Sequence, residues 1–318
     1  MKASFASAGQ FPLKLLTLRG LVERIKHGEI PPVHVQFIPT NRCNLKCGFC
    51  SCRARDREQE MSLDEAREML RTFVRLGMET MTITGGGEPC LWGPLSEFIG
   101  LAVAEGVGVG LVTNGTKLSG LKASAVEQLA WCRISCSDEA NRIGTFWTVV
   151  EAAKSVDWAF SYVFTAAPDM ANFHEHVKFA REHKFTHMRA VSNITDLESA
   201  PDMEAVRLLT RETAGDLEMI YQDRQTFTRG AERCLISLLK PVIGPDGKLY
   251  PCCGVQYARG EMDLSLPDAM CMGSVGEARQ IWAQQRAFDG RVCERCYYDG
   301  YNGLMEMVQG RLKHEAFV

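Results

Sequence analysis

Apolar and polar positions alternate with a period that changes along this chain. After Pro31 and Pro32, the run Val33-His34-Val35-Gln36-Phe37-Ile38 alternates at period two and predicts a first strand. A polar loop carrying several cysteines follows. The period then lengthens, with Leu63, Ala66, Met69, Leu70 and Phe73 on one helical face. Ser62-Leu63-Asp64-Glu65 has the pattern of a capping box at the start of that helix. Further strands are predicted at 80–84, 107–112, 132–136, 158–164 and 187–191. Helices are predicted between and after them, at 94–105, 121–130, 145–155, 171–183 and 201–213. Strand–helix alternation argues for βα units around a parallel sheet, whose ligands gather at the carboxyl ends of the strands. Spacing alone fits both a doubly wound sheet and a partial (β/α)6 barrel.

Both ends of the chain depart from that rhythm. Residues 11–29 predict a short amphipathic helix ending at Gly28. Beyond about 222, turn residues and cysteines dominate, and Pro245-Asp246-Gly247-Lys248 lies between short β-like runs as in a hairpin. The expected organisation is an N-terminal helical extension at 1–30, an α/β body at 31–222 and a small second domain at 223–318.

Composition adds little until the cysteines are counted. The chain has 318 residues, 46% of them hydrophobic, and a net charge of −3. That balance gives no argument for nucleic acid, although a local basic groove is invisible in a sum. No apolar run approaches a membrane span, and the N-terminal stretch is too short and too charged for a signal peptide. A soluble cytoplasmic protein is expected. Thirteen cysteines in such a protein are too many for chance packing. They fall in groups, and thiols kept reduced in the cytosol point to metal or cluster ligation.

The first group is Cys43-Asn44-Leu45-Lys46-Cys47-Gly48-Phe49-Cys50, spaced C-x3-C-x2-C. A cubane [4Fe–4S] cluster needs four thiolates for full ligation, so three leave one iron open. No second ligand pair of zinc-finger spacing follows. Cys52 offers a fourth thiol nearby. The second group includes Cys234, Cys252, Cys293 and Cys296, four thiols that suit either a closed [4Fe–4S] cluster or a structural zinc ion.

The cysteine loop resembles that of the radical S-adenosylmethionine (SAM) superfamily, whose fold is a partial (β/α)6 TIM-like barrel. The resemblance implies that the open iron chelates SAM and that one electron from the cluster yields a 5′-deoxyadenosyl radical. Phe49, before the last cysteine, matches an aromatic placed near the adenine. Thr84-Gly85-Gly86-Gly87-Glu88-Pro89 resembles the family's Gly-Gly-Glu-Pro motif, whose backbone holds the amino group of SAM, which implicates Gly86, Gly87 and Glu88. Asn114 lies in a Thr-Asn-Gly similar to one at the third strand end of many relatives. Ser135 or Ser137, in Ile-Ser-Cys-Ser-Asp, matches the segment that contacts the ribose, with Asp138 beside them. Arg189, a charge inside the sixth strand, suits the SAM carboxylate, a substrate or an ordinary ion pair. His174, His176, His183 and His187 read as surface or packing residues, and Cys90 as a pocket or core thiol.

The C-terminal part resembles the twitch domain, the shortened SPASM domain, with cysteine spacing similar to 2-deoxy-scyllo-inosamine dehydrogenase. That implies an auxiliary [4Fe–4S] cluster on Cys234, Cys252, Cys293 and Cys296, leaving Cys253 and Cys271 spare. The whole implies two clusters, SAM, and an electron donor such as flavodoxin or ferredoxin. The expected reaction is oxidation or rearrangement of a small polar substrate of aminocyclitol, sugar or nucleoside type. Maturation of a ribosomal peptide, modification of a nucleobase, and a non-enzymatic Fe–S or zinc scaffold are the alternatives. The sequence identifies no general base.

Overall fold

The computed structural model describes residues 11–137, 143–196, 198, 201–222, 226–259 and 266–310. Asp138, the first ten residues of the N-terminal extension, and residues 223–225, 260–265 and 311–318 of the second domain lie outside them. Strands β1 (His34–Phe37), β2 (Thr80–Ile83), β3 (Gly108–Thr113), β4 (Trp131–Ser137), β5 (Asp157–Phe164), β6 (His187–Ser192) and β7 (Glu218–Gln222) pair in chain order, all parallel. This is the α/β partial TIM-like barrel expected, with one strand more. The extra strand β7 escapes a periodicity search because all five of its residues are half-buried and it carries no clean alternation.

Helices α1 (Phe11–Thr17) and α2 (Leu21–Lys26) precede the barrel. The single helix predicted over 11–29 is broken at Gly20, whose φ of 74° is left-handed. Helices α3 (Leu63–Leu76), α4 (Leu95–Ala104), α5 (Ala123–Val126), α6 (Trp147–Ala152), α7 (Met170–Glu182) and α8 (Met203–Ala214) cover the outside of the strands. Ser62 caps α3 in a complete capping box with Glu65. The outward strand residues form the core. Phe37 packs on Trp92 and Phe98, and Phe160 on Phe146, Phe179 and Phe185. Each such aromatic, fully buried, contributes about 1.5–3 kcal/mol.

The inward positions are different in kind. His34 on β1 bonds Thr80 and Thr82 on β2 across the barrel wall, at 2.8 and 3.1 Å. Alternation places Gln36, Trp131, Arg133, Ser135, Ser161, His187 and Arg189 on the same inner face. The lumen is therefore polar, walled by side chains that a packed hydrophobic core would exclude.

The C-terminal part continues the same sheet. After α9 (Ile236–Leu239), strand β8 (Val242–Ile243) pairs parallel with β1. β8, β9 (Lys248–Tyr250) and β10 (Gly273–Ser274) then pair antiparallel, giving the order β10-β9-β8-β1-β2-β3-β4-β5-β6-β7. The predicted hairpin at Pro245–Lys248 is the β8–β9 turn, with Gly247 at φ 72°. Helices α10 (Ala278–Ala283) and α11 (Asp299–Gln309) complete this part, α11 packing on α2 and Tyr301 stacking on Phe11.

Candidate active site at the carboxyl ends of the strands

The cysteine loop leaves β1 and returns to the cap of α3. Its base is clipped shut by an antiparallel bridge between Thr40 and Glu60, with Asn41 N–H donating to Gln59 O (2.9 Å) and Met61 N–H to Pro39 O (2.9 Å). Its cysteine-bearing part is tied to the turn after β3. Asn44 donates to Thr116 Oγ1 (2.8 Å), and Asn114 donates back to Asn44 Oδ1 (3.1 Å). Cys43, Cys47 and Cys50 are all half-buried on this loop. Cys50 N–H closes a turn on Cys47 O at 3.1 Å. The Cys52 amide donates to Cys50 Sγ at 3.4 Å. The Cys52 thiol and burial together push the Cys50 thiol up.

The glycine-rich turn after β2 lies directly against this loop. Gly87 N–H donates to Thr40 O (3.1 Å) and Glu88 N–H to Arg42 O (2.7 Å). A Cβ on Gly87 would sit 2.0 Å from Arg42 O, and one on Gly86 would sit 2.0 Å from Asn41 Oδ1 and 2.3 Å from Arg55 Nη1. Only glycine permits this approach. The Glu88 side chain, 2% exposed, points away from the mouth. Its carboxylate accepts from Thr113 Oγ1 (2.6 Å), Asn114 N–H (2.6 Å) and Cys90 N–H (2.9 Å), so it anchors the turn to the end of β3. Arg55 is buried beside Gly86 and donates to Gln256 Oε1 of the C-terminal part at 3.3 Å.

The remaining candidates divide. Ser135 and Ser137 lie on inward positions of β4, and Arg189 faces inward from β6, bonded to Gln222. Phe49 is half-buried on the cysteine loop. The buried thiols Cys132 and Cys136 alternate with the serines and point outward into the core. Cys90 meets Thr113 Oγ1 at 3.4 Å. His176 packs between Phe160 and Tyr162, a packing role as expected.

Cys234, Cys252, Cys293 and Cys296 come together around one cavity of about 30 Å³ with Met270 and Tyr298. Three chain segments converge there. Cys234 N–H donates to Phe288 O (2.9 Å), Gly230 N–H to Cys293 O (2.8 Å), and Thr228 bridges Cys296. The amides of Gly254 and Tyr298 donate to Cys252 Sγ (3.3 Å) and Cys296 Sγ (3.4 Å), the same i+2 bond seen at Cys50. Such donors favour thiolate over thiol. Burial pushes the Cys234 thiol up to about 12 and the Cys293 thiol up to about 11, with the other thiols of the ring adding to both. Cys253 and Cys271 face elsewhere, toward Tyr298 Oη (2.9 Å) and Gly273 O (3.5 Å). Among the described residues no three His, Cys, Asp or Glu side chains converge as a single bound ion requires. Four thiols around one cavity are the donor set of either a closed cluster or a structural zinc ion.

Sequence reasoning missed Asn44, Asn41, Arg55 and Arg133. Asn44 stood inside the cysteine motif and was legible by position. The others act through contacts with distant segments.

Residues 37–137 match the Radical SAM superfamily. The chain is 25% identical over 263 residues to GTP 3',8-cyclase of Aquifex aeolicus (strain VF5), covering 67% of this chain and 79% of that protein. It is 30% identical over 100 residues to the mycofactocin maturase MftC of Mycobacterium ulcerans (strain Agy99), covering 31% of this chain and 27% of that protein. To several curated relatives the match spans 40% of their length or less. The solved structure of Streptococcus suis SuiB bound to precursor peptide SuiA shares the fold. Its TM-score is 0.61 at 16% identity, over 96% of this chain and 80% of that one. No helix among the described residues is long and apolar enough to cross a membrane. The cysteine loop and the glycine-rich turn both fall inside the matched stretch, so residues 37–137 of this chain carry a region that matches the Radical SAM superfamily, and the curated proteins it is similar to are enzymes.

Proposed function

We propose that this enzyme oxidises or rearranges a small polar substrate of sugar, aminocyclitol or nucleoside type held in the barrel lumen. With a [4Fe–4S] cluster and SAM bound, one electron from the reduced cluster would break the C5′–S bond of SAM, releasing methionine and supplying a 5′-deoxyadenosyl radical to take hydrogen from a substrate carbon. Cys43, Cys47 and Cys50 hold that cluster, and the backbone of Gly86 and Gly87 receives the amino group of SAM. Glu88 and Asn114 act from behind, fixing the turn and the loop to one another. Phe49, Ser135, Ser137 and Arg189 line the path of the nucleoside and carboxylate. Cys234, Cys252, Cys293 and Cys296 hold an auxiliary [4Fe–4S] cluster in a twitch-like domain, placed to take an electron from the substrate. A flavodoxin or ferredoxin serves as donor to the first cluster.

One observation carries this reading. The inner face of the strands is polar, with Gln36, Arg133, Ser135, Ser161 and Arg189 on one side of the sheet. A peptide is the second reading, favoured by the fold shared with SuiB, solved with a precursor peptide. The polar side chains on the inner face of the strands favour the small polar substrate. The test is anaerobic reconstitution with SAM and dithionite. Iron at about eight per chain and formation of 5′-deoxyadenosine are expected. About four irons with bound zinc, or no SAM cleavage in the presence of any polar substrate, would contradict the reading.

A further inference from the structure

Arg55 is a buried cation held by one side-chain bond. It lies on the returning limb of the cysteine loop, 7% exposed, and among the described residues it forms no ion pair. Its backbone N–H donates to Cys52 O at 3.2 Å. Of the guanidinium nitrogens, Nη2 donates to Gln256 Oε1 at 3.3 Å, while Nε and Nη1 are buried with no acceptor. A buried charge with so few acceptors is costly and is placed by whatever acceptor it has. Gln256 therefore sets where this guanidinium sits.

The guanidinium presses on the glycine-rich turn. A Cβ on Gly86 would meet Arg55 Nη1 at 2.3 Å and Arg55 Cδ at 2.9 Å. Asn41 Oδ1 lies 2.0 Å from the same point and accepts from no donor. Two side chains of the cysteine loop thus pack on Gly86, and the next residue, Gly87, is bonded to Thr40 O. With Gln256 withdrawn, the Asn41 oxygen is an unmet acceptor beside Nη1. A guanidinium that turns toward it no longer packs on Gly86 in the same way.

The other end of the contact belongs to the second thiol site. Gln256, 9% exposed, lies in a 3₁₀ turn at Val255–Tyr257. Gly254 N–H donates to Cys252 Sγ at 3.3 Å, and Tyr257 N–H to Gly254 O at 3.1 Å. The turn that carries Gln256 is therefore wound on Cys252, which lines the second thiol cavity. From Cys252 to Gly86 the contacts are continuous, through Gln256 and Arg55.

We propose that Arg55 and Gln256 are positioning residues that couple the two cysteine sites. A loaded second site holds Gln256, Gln256 holds Arg55, and Arg55 holds the glycine-rich turn in the shape that receives SAM. This rests on the reading of Gly86 and Gly87 as the SAM turn. It makes metal loading at Cys252 tighten SAM binding at a site to which Cys252 contributes no ligand.

The test is calorimetric titration of SAM into anaerobic holoprotein, with iron content and electron paramagnetic resonance of the reduced clusters read on the same preparations. Gln256→Leu and Arg55→Met each weaken SAM about fivefold or more, at full iron and with the SAM-free cluster signals unchanged. The double variant binds no more weakly than Arg55→Met alone. Arg55→Lys retains part of the affinity that Arg55→Met loses. Cys252→Ser weakens SAM in the unaltered background and not in the Arg55→Met background. Gln256→Leu keeps every cysteine, so it reads the link even where Cys252→Ser does not fold. Single variants that bind SAM as the unaltered enzyme does, or losses that add in the double variant, overturn the proposal. So does a Cys252→Ser loss of the same size in both backgrounds. Iron-loaded, unaltered protein that binds no SAM defeats the earlier reading of the turn and this inference with it; normal SAM binding indifferent to Arg55 and Gln256 defeats this inference alone.

Discussion

The two cysteine sites of this enzyme are built in opposite ways. Cys43, Cys47 and Cys50 sit within one short loop, half-buried, clipped at its base and tied to the β3 turn by Asn44 and Asn114. Cys234, Cys252, Cys293 and Cys296 come from separate segments and close around a cavity that Asp299 and Asn302 of α11 also line. With a [4Fe–4S] cluster on its three thiols, the first arrangement would leave one iron open to a ligand. The second is made by tertiary structure and in turn holds that structure together. A local loop can be loaded or emptied without the fold noticing; a ring of distant residues cannot.

That contrast predicts different consequences for the same substitution. Cys47→Ser removes SAM cleavage and about half the iron, with a melting change of about 1 kcal/mol or less. Cys252→Ser also removes about half the iron, yet lowers the melting temperature by roughly 5–10 °C, about 2–4 kcal/mol. Equal thermal effects, measured by anaerobic calorimetry, would erase the distinction.

A smaller effect isolates the mouth. Glu88→Gln puts an amide nitrogen against one of the donors from Thr113, Asn114 or Cys90. The expected cost is about 1–3 kcal/mol, with weaker SAM binding and an unchanged auxiliary site. SAM affinity equal to the unaltered enzyme would show that the turn does not depend on this anchor.

The smallest effect near neutral pH separates the lumen from both thiol sites. His187 is buried at the start of β6, and burial, then Arg133 and Arg189, pull it down to about 3. Its unfolded value is about 6.5. The unfolded chain therefore binds the extra proton, and stability present above about 6.5 is lost as pH falls toward 3, by at most about 1.4 kcal/mol per unit. His187→Asn flattens that slope in denaturant titrations between pH 8 and 5; an unchanged slope places the titrating group elsewhere.

The same contrast decides what the sequence made legible. The loop thiols and the glycine-rich turn are contiguous, so their chemistry could be recognised in a few residues. The barrel followed from periodicity because outward strand residues such as Phe37, Phe160 and Met188 are apolar and regularly spaced. Strand β7 did not, since its half-buried residues carry no pattern. The C-terminal part stood out in the sequence by its cysteines, but its joining to β1 depends on a two-residue strand too short to leave a signal. Arg133 is an ordinary charged residue in the chain; only the register of β4 puts it on the inner face.

The most direct measurement is electron paramagnetic resonance of the dithionite-reduced enzyme with and without SAM. Two reduced-cluster signals are predicted, with SAM shifting one and leaving the other unchanged. The responsive signal should be absent from Cys50→Ser, and the unresponsive one from Cys293→Ser. A single signal, or two that both move with SAM, would contradict an open site at the mouth beside a closed one.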